Sequence, residues 1–582
     1  MTNFLWRTCF NKNGRAIVLP LFFLVCSCYT TMLLGQGDGS GLNASIEISE
    51  ICIQFKDDKL DKGNLELVRS SILNKLKIFP RDHVQISDLD RAILNVQSIP
   101  EIGTATYDLE MGRGQSFILN IKVTTEGKRM LIEENTGIFT KKRQGSFRYL
   151  YKDKKFTAKL DIGLSTTVYV GDNAWFDNGQ FFTQYSPFGK DYPEGTFASL
   201  ESAFMPGITL LYKVGNNAYA YGNYKALFVS TLGRDLYRKD NPADIATENL
   251  YAGIVGSFTT AKGNVINYNL SAGKQPFRIG TGLFLNQIAS NGGDRAGNNL
   301  WPRFSGDFVG LAQVRYDNLK GEYFYVDPSE FGGFETNTRL TGVNFDYGKP
   351  HGINLGFTYL HALKSTSIVL FPDGTQETRK GLNAYNLRLD WKPKPNSNSI
   401  IANAEAGLQT NSRFPMLAWG MAAELGYSFS KPKLKPSFSY RFSHLTGDDP
   451  RTTRFERWDL LYSGNDFNTW VQGMLMKNVL YNANLQAHRF QTQMFMGGWR
   501  VTGQYFYFRS DQLNNLPLPI NTFASKELAH QISIIADKSF LKRFYSRLQV
   551  HSLWAIEGIT GALPKKTANP WLGAQAMIKY QL

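Results

Sequence analysis

The chain has 582 residues, 14% of them aromatic, with 53 glycines, a negative mean hydropathy and a formal net charge of +15. A soluble protein of this length usually divides into several cores, yet here aromatics and glycines are spread over short strand-like runs. A basic chain often binds nucleic acid, but no Lys/Arg-rich helix or clustered nucleic-acid motif is present, so no nucleic-acid partner is expected.

The N-terminus carries an export pattern. Arg7, Lys12 and Arg15 form a basic region ahead of an apolar stretch from Ala16 to Leu34, and Gly35 offers a small residue at a cleavage edge. Residues 1–35 therefore read as a signal peptide. Lipidation at Cys26 or Cys28 is the alternative, and the residues before each cysteine make a poor lipobox. No later segment approaches the ~20 apolar residues that a spanning helix needs. Once the signal is removed Cys52 is the only cysteine, so burial and hydrogen bonding, not disulfides, must hold the exported chain.

Residues 36–127 read as a small α+β domain. A strand over Ile46–Phe55 is followed by the charged turn Lys56–Lys59. A helix from Asn64 sets Leu65, Val68, Ile72 and Leu76 at helical spacing, and Pro80 ends it. Ser87 caps a second helix with Asp90 three residues on; its apolar face is Leu89, Ile93 and Val96, and Pro100 stops it. Two alternating strands follow, Ala105-Tyr107-Leu109 and Phe117-Leu119-Ile121-Val123, with Gly112 and Gly114 in the turn. The run Asn64–Leu76, the segment Pro80-Arg81-Asp82 ahead of Ile86–Leu89, and Ile99–Ile102 leading to Tyr107 resemble a POTRA domain. The resemblance implies a periplasmic module that binds a protein partner or cargo by adding a strand to a sheet edge. An unrelated α+β domain is the other reading.

From residue 128 to 582, strand-like segments recur about every 12 to 20 residues, with alternation clearest in a few hairpins. One hairpin has Thr341, Val343, Phe345 and Tyr347 in its first arm and Ile353, Leu355, Phe357 and Tyr359 in its second, with residues 348–352 as the turn. Another sets Tyr385, Leu387, Leu389 and Trp391 outward and Asn386, Arg388, Asp390 and Lys392 inward; its partner sets Ala402, Ala404, Ala406 and Leu408 outward. The last strand places Leu572, Ala574, Ala576, Ile578, Tyr580 and Leu582 on one face and Gln575, Lys579 and Gln581 on the other. A terminal amphipathic strand leaves an open sheet edge unless it closes on the first strand, and a bilayer demands such closure. The fold expected is therefore an all-β transmembrane barrel of about 18 antiparallel strands, with 16 the alternative, in the outer membrane of a Gram-negative bacterium. Outer-membrane lipids and the barrel-assembly machinery are the partners this implies. A barrel that wide should leave a water-accessible lumen.

Period-two bookkeeping then assigns the lumen. Inward candidates are Arg315, Arg388, Arg441, Arg489, Arg500 and Arg547, opposed by Glu322, Asp346, Asp390, Glu405 and Glu424. Arginines lining a lumen attract carboxylate or phosphate, though the same residues could pair across the wall as a structural network. His361, His444, His488, His530 and His551 show no metal-ligand spacing, and neither a Gly-x-Ser-x-Gly elbow nor a phosphate loop appears. No catalytic residue, cofactor or metal is expected.

Two barrel regions resemble the alginate-export family of outer-membrane porins. They are Gly273-Lys274-Gln275-Pro276-Phe277-Arg278-Ile279-Gly280-Thr281-Gly282, and Tyr440–Ser443 with Thr446–Pro450, Phe455 and Trp458–Gly464. The resemblance implies an 18-stranded porin passing a carbohydrate polymer or other hydrophilic solute, with Arg278, Arg441 and Arg489 in its basic lumen. The POTRA-like domain departs from that family's pattern. It suits the Omp85 and two-partner-secretion superfamily, whose members translocate or insert polypeptides. Those proteins carry an Arg-Gly-aromatic tripeptide on a loop in the lumen, and the nearest run here, Asp294-Arg295-Ala296-Gly297, lacks it. Export of a hydrophilic, anionic polymer such as a polysaccharide is the expectation; polypeptide translocation and a general porin are the alternatives.

Overall fold

A computed structural model describes residues 46–55, most of 68–124 and 149–581, apart from short internal stretches of which 184–191 and 464–471 are the longest. The signal segment, Leu65 and Leu582 lie outside the described residues.

The N-terminal domain is built on a mixed sheet. β1 (Ile46–Phe55) runs parallel to β4 (Phe117–Thr124), which is antiparallel to β3 (Thr104–Met111). A two-residue β2 (His83–Val84), not anticipated from the sequence, pairs with the start of β1. Alternation explains β4: Phe117, Leu119, Ile121 and Val123 are buried while Asn120 and Lys122 are not. Against that face pack the helical residues Val68, Ile72 and Leu76 and the helix α1 (Ile86–Gln97) through Leu89, Ile93 and Val96. Each fully buried Leu, Ile or Val side chain contributes about 1.5–3 kcal/mol. Because α1 starts at Ile86, Ser87 falls inside the first turn instead of capping it from outside.

The wall begins where a short β5 (Tyr149–Lys152) lies beside the start of β6 (Phe156–Asp172). It continues through β7 (Thr196–Lys213), β8 (Ala218–Gly233), β9 (Ala243–Thr259) and β10 (Val265–Lys274). Next come β11 (Phe308–Tyr316), β12 (Leu319–Asp327), β13 (Arg339–Tyr347) and β14 (Gly352–Lys364). A separate hairpin of β15 (Ile368–Leu370) and β16 (Gln376–Thr378) interrupts before β17 (Leu382–Lys392) and β18 (Ser399–Asn411). The remainder is β19 (Leu417–Ser428), β20 (Ser437–Leu445), β21 (Leu485–Met496), β22 (Trp499–Ser510), β23 (Glu527–Phe540), β24 (Phe544–Ala555) and β25 (Trp571–Gln581). β25 pairs with β6 from Leu572↔Asp172 to Gln581↔Gly163, so β6–β14 and β17–β25 close an antiparallel barrel of eighteen strands. Sixteen is excluded.

The barrel is inverted relative to a soluble sheet protein. Ile245, Leu425 and Leu387 are 73%, 65% and 64% exposed on the outside, whereas Asn386 and Arg388 beside Leu387 are buried inside. In a water-soluble sandwich the apolar face is the core. A closed wall that turns its apolar face outward matches a hydrocarbon surround, where every backbone group must be paired internally. In β25, Leu572, Ala574, Ala576, Ile578 and Tyr580 lie on the partly exposed outer face, and Trp571, Gly573, Gln575 and Met577 are buried inside, in the register the sequence implies. Among the described residues no helix is long and apolar enough to cross a membrane.

Connections differ at the two mouths. One mouth carries tight turns such as 317–318 and 497–498; the other carries the long segments 275–307 and 446–484.

An arginine-lined chamber as candidate functional site

The long segments fold inward, toward each other. The Phe284 ring stacks on Trp458 at 5.8 Å, and the Tyr462 amide donates to the Phe284 carbonyl at 3.0 Å. The cluster around them joins the two regions that carry the alginate-export resemblance, through Phe277 and Ile279 of the first and Phe455, Trp458 and Leu461 of the second. Around them, Phe277, Ile279, Leu283, Leu285, Phe455 and Leu461 bury an apolar cluster against the inner wall. A second cluster joins Trp175, Phe176, Val479, Leu480 and Trp571 at the same mouth. Apolar side chains therefore pack the long-loop end of the lumen, which strand number alone does not indicate.

Below this packing lies a cavity of about 1370 Å³, lined by all seven arginines expected there: Arg278, Arg315, Arg388, Arg441, Arg489, Arg500 and Arg547. Six project from strands, and Arg278 comes from the infolded segment 275–307, where its Nη2 donates to the Thr281 carbonyl at 3.2 Å. Five of the others have carboxylate partners. Arg388 reaches Asp346 at 3.0 Å, Arg489 reaches Glu424 at 2.7 Å, and Arg315 reaches Asp82 at 2.7 Å. Arg500 and Arg547 share Asp537, at 2.5 and 3.9 Å. Glycine makes room for Arg388: a Cβ on its cross-strand partner Gly356 would fall 2.5 Å from the guanidinium, and one on Gly280 would fall 2.7 Å from Cδ.

Arg441 is different. It is 1% exposed, it has no ion pair within 4.0 Å among the described residues, and its Nε and Nη1 have no hydrogen-bond partner. Its one hydrogen bond among the described residues runs from Nη2 to the Gln472 Oε1 at 3.5 Å, a long one. A buried donor left unsatisfied costs about 1–3 kcal/mol, more when charged.

The cavity has a floor that period-two bookkeeping did not foresee. Ile46, Glu47, Glu50, Asp82, Glu110 and Met111 of the N-terminal domain line the same space as the barrel arginines. The N-terminal domain touches the inner wall at the tight-turn mouth. Asp82 holds Arg315 and lies 3.8 Å from Lys320, the Gly112 carbonyl accepts from Arg500 at 2.8 Å, and Lys75 donates to Asn217 at 3.4 Å. Lys320, which the sequence reading passed over, also pairs with Glu322 at 3.2 Å. The alternation that turns Arg315 inward puts Lys320, its cross-strand partner, inward as well.

Lys477 and Asp448 are among the perturbed ionisable groups outside the strands. Burial pushes the Lys477 ammonium down to about 7, with its Nζ 3.8 Å from the Trp301 ring centroid. Burial also pushes the Asp448 carboxyl up to about 6. Of the histidines, His488 and His530 hydrogen-bond Tyr440 and Tyr505 on the outer face at 2.7 and 2.8 Å, and His551 bonds Ser533 inside. His361 bonds Asn383 and His444 bonds Asp511, both at 2.9 Å. No group of three or more potential metal ligands occurs among the described residues.

No family model and no curated protein matches the sequence. Among solved structures, the chain is similar to crystal structures of Pseudomonas aeruginosa OccK5 (OpdH) and Acinetobacter baumannii OccAB4. Identities are 9% and 10%, each with a TM-score of 0.41, covering 73% of this chain and 98% of each of those. It is also similar to the outer membrane protein opdK from P. aeruginosa, at 11% identity and a TM-score of 0.44, again over 73% of this chain and 98% of that one. Likenesses this distant assign the chain to no family, and neither the alginate-export nor the POTRA resemblance is shown by them.

Proposed function

We propose that the chain is an outer-membrane channel that conducts a hydrophilic, anionic solute or polymer, such as an exported polysaccharide, through the arginine-lined chamber. The observation that carries the reading is Arg441, a buried guanidinium on the chamber wall whose Nε and Nη1 have no hydrogen-bond partner among the described residues. A carboxylate or phosphate entering the chamber would satisfy them with short charge-assisted bonds. The inverted wall supports placement in a bilayer, and the habit of outer-membrane barrels to put tight turns on the periplasmic side supports a periplasmic position for the domain-bearing mouth. Arginine rings in a pore select for anions by field and by hydrogen bonding.

The test is ion selectivity in a planar bilayer together with the secretion phenotype of a deletion strain. An anion-selective current and loss of a secreted polysaccharide support the reading; a cation-selective pore would sink it. A POTRA-type role in polypeptide translocation is the second reading, favoured by the sheet in which β4 lies between β1 and β3. Loss of one secreted protein with normal polysaccharide would establish that one instead.

A further inference from the structure

The lining of the chamber is charge-balanced only because the N-terminal domain is part of it. Among the described residues, the barrel and its infolded segment contribute eleven lysines and arginines and six carboxylates to the lining. The domain contributes Glu47, Glu50, Asp82, Asp88 and Glu110, and no lysine or arginine. Its points of attachment are spread around the ring. Lys75 meets Asn217 in the turn between β7 and β8, Asp82 meets Arg315 and Lys320 at the β11–β12 turn, and the Gly112 carbonyl meets Arg500 at the start of β22. A body fixed to three separated arcs of the tight-turn mouth bridges that mouth.

We infer that the N-terminal domain is an intramolecular plug that occupies the anion path by presenting to the wall the carboxylates that a cargo would present. Asp82 is the latch: one carboxylate satisfies a guanidinium and approaches an ammonium that, with the domain withdrawn, would face the chamber. Salt and competing anions weaken the polar anchors named above, and the domain's remaining hold is the apolar cluster that it shares with Met205, Leu227 and Met577 of the wall. A polyanion of higher charge density than the domain's acidic face would compete for the same arginines. Withdrawal would leave a wall with a basic excess, so opening and anion selectivity would arise in one step. The inference rests on the channel reading but can fail separately from it.

The experiment uses the full chain carrying Asp82→Cys and Arg315→Cys in a background without other cysteines, reconstituted in a planar bilayer. With the latch cysteines free, openings should be frequent and anion-selective. After treatment with a short bifunctional thiol cross-linker, the open probability should fall at least tenfold, and reversal of a cleavable cross-link should restore it. Adding poly-L-glutamate should raise the open probability of the unmodified chain and leave the cross-linked one shut. Equal conductance with and without the cross-link would overturn the plug while leaving the channel in place. A barrel silent in every state would overturn the channel reading, and the plug with it. Should the cysteine pair impair assembly, the triple substitution Glu47→Gln, Glu50→Gln, Asp82→Asn, checked for normal heat-modifiable migration, reads the same quantity. Unchanged open probability in that variant would equally overturn the plug.

Discussion

Arg441 and Arg489 stand directly opposite each other on β20 and β21, both turned into the chamber, yet only Arg489 holds a carboxylate, Glu424 at 2.7 Å. The asymmetry separates two roles that look alike in sequence. Breaking a buried pair by removing one partner costs about 3–5 kcal/mol, because the other charge is left uncompensated. Replacing an unsatisfied buried donor by an apolar group removes a penalty of about 1–3 kcal/mol. Arg489→Met should therefore lower the unfolding midpoint in denaturant, and Arg441→Met should leave it unchanged or raise it. Both should shift the reversal potential toward weaker anion preference. An Arg441→Met variant with unaltered selectivity would remove that residue from the conduction path.

Gly356 and Arg388 give a steric test. The arginine lies across the glycine, where a Cβ would come within 2.5 Å of its nitrogens, and it donates to Thr358 at 2.8 Å and pairs with Asp346. Gly356→Ala should force the guanidinium off both partners and reproduce the selectivity change of Arg388→Met, although the new side chain is itself uncharged. Overpacking of this sort costs about 1–3 kcal/mol, measurable as a lower denaturation midpoint.

Closure can be probed along β25. Ala576 lies at mid-strand, paired with Val168 on β6 and Leu548 on β24, while Ile578 lies nearer the tight-turn mouth. An arginine on the lipid face costs about 2–4 kcal/mol at the bilayer midplane and about 0–1 near an interface. Ala576→Arg should thus impair assembly more than Ile578→Arg, and Lys579→Ile, on the cavity-lining side, should be tolerated. Deleting the last eight residues removes most of the β25–β6 register and should abolish heat-modifiable migration. Normal assembly of that truncation would contradict closure through β25.

The pH dependence follows from Lys477. Its ammonium is held at about 7, below the ordinary lysine value of 10.5, by burial beside Trp301. A depressed lysine binds fewer protons folded than unfolded between those two values, so its contribution makes stability rise with pH across that window. For conduction the sign is opposite. As pH falls from 8 to 6, the segment 446–484 gains a positive charge, and anion preference should increase. Lys477→Met should flatten that part of the profile, whereas Lys477→Arg, charged throughout, should hold the low-pH behaviour at pH 8.

The sequence by itself determined which face of each strand is wet and which is greasy. Side chains alternate with a period of two, so Arg315, Arg388, Arg441, Arg489, Arg500 and Arg547 had one face available to them once their apolar neighbours were turned outward. It also determined the small core of Val68, Ile72, Leu89, Ile93, Leu119 and Ile121, because helical and strand periodicities both bury the same residues. The tertiary structure alone decided what fills the lumen. Phe284 and Trp458 are far apart in a chain without period at either place, and only infolding of two long segments stacks them. It alone decided, too, that Asp82 meets Arg315. The polar face of a small domain reads the same in sequence whether it looks onto water or onto a ring of arginines, because both environments satisfy its carboxylates.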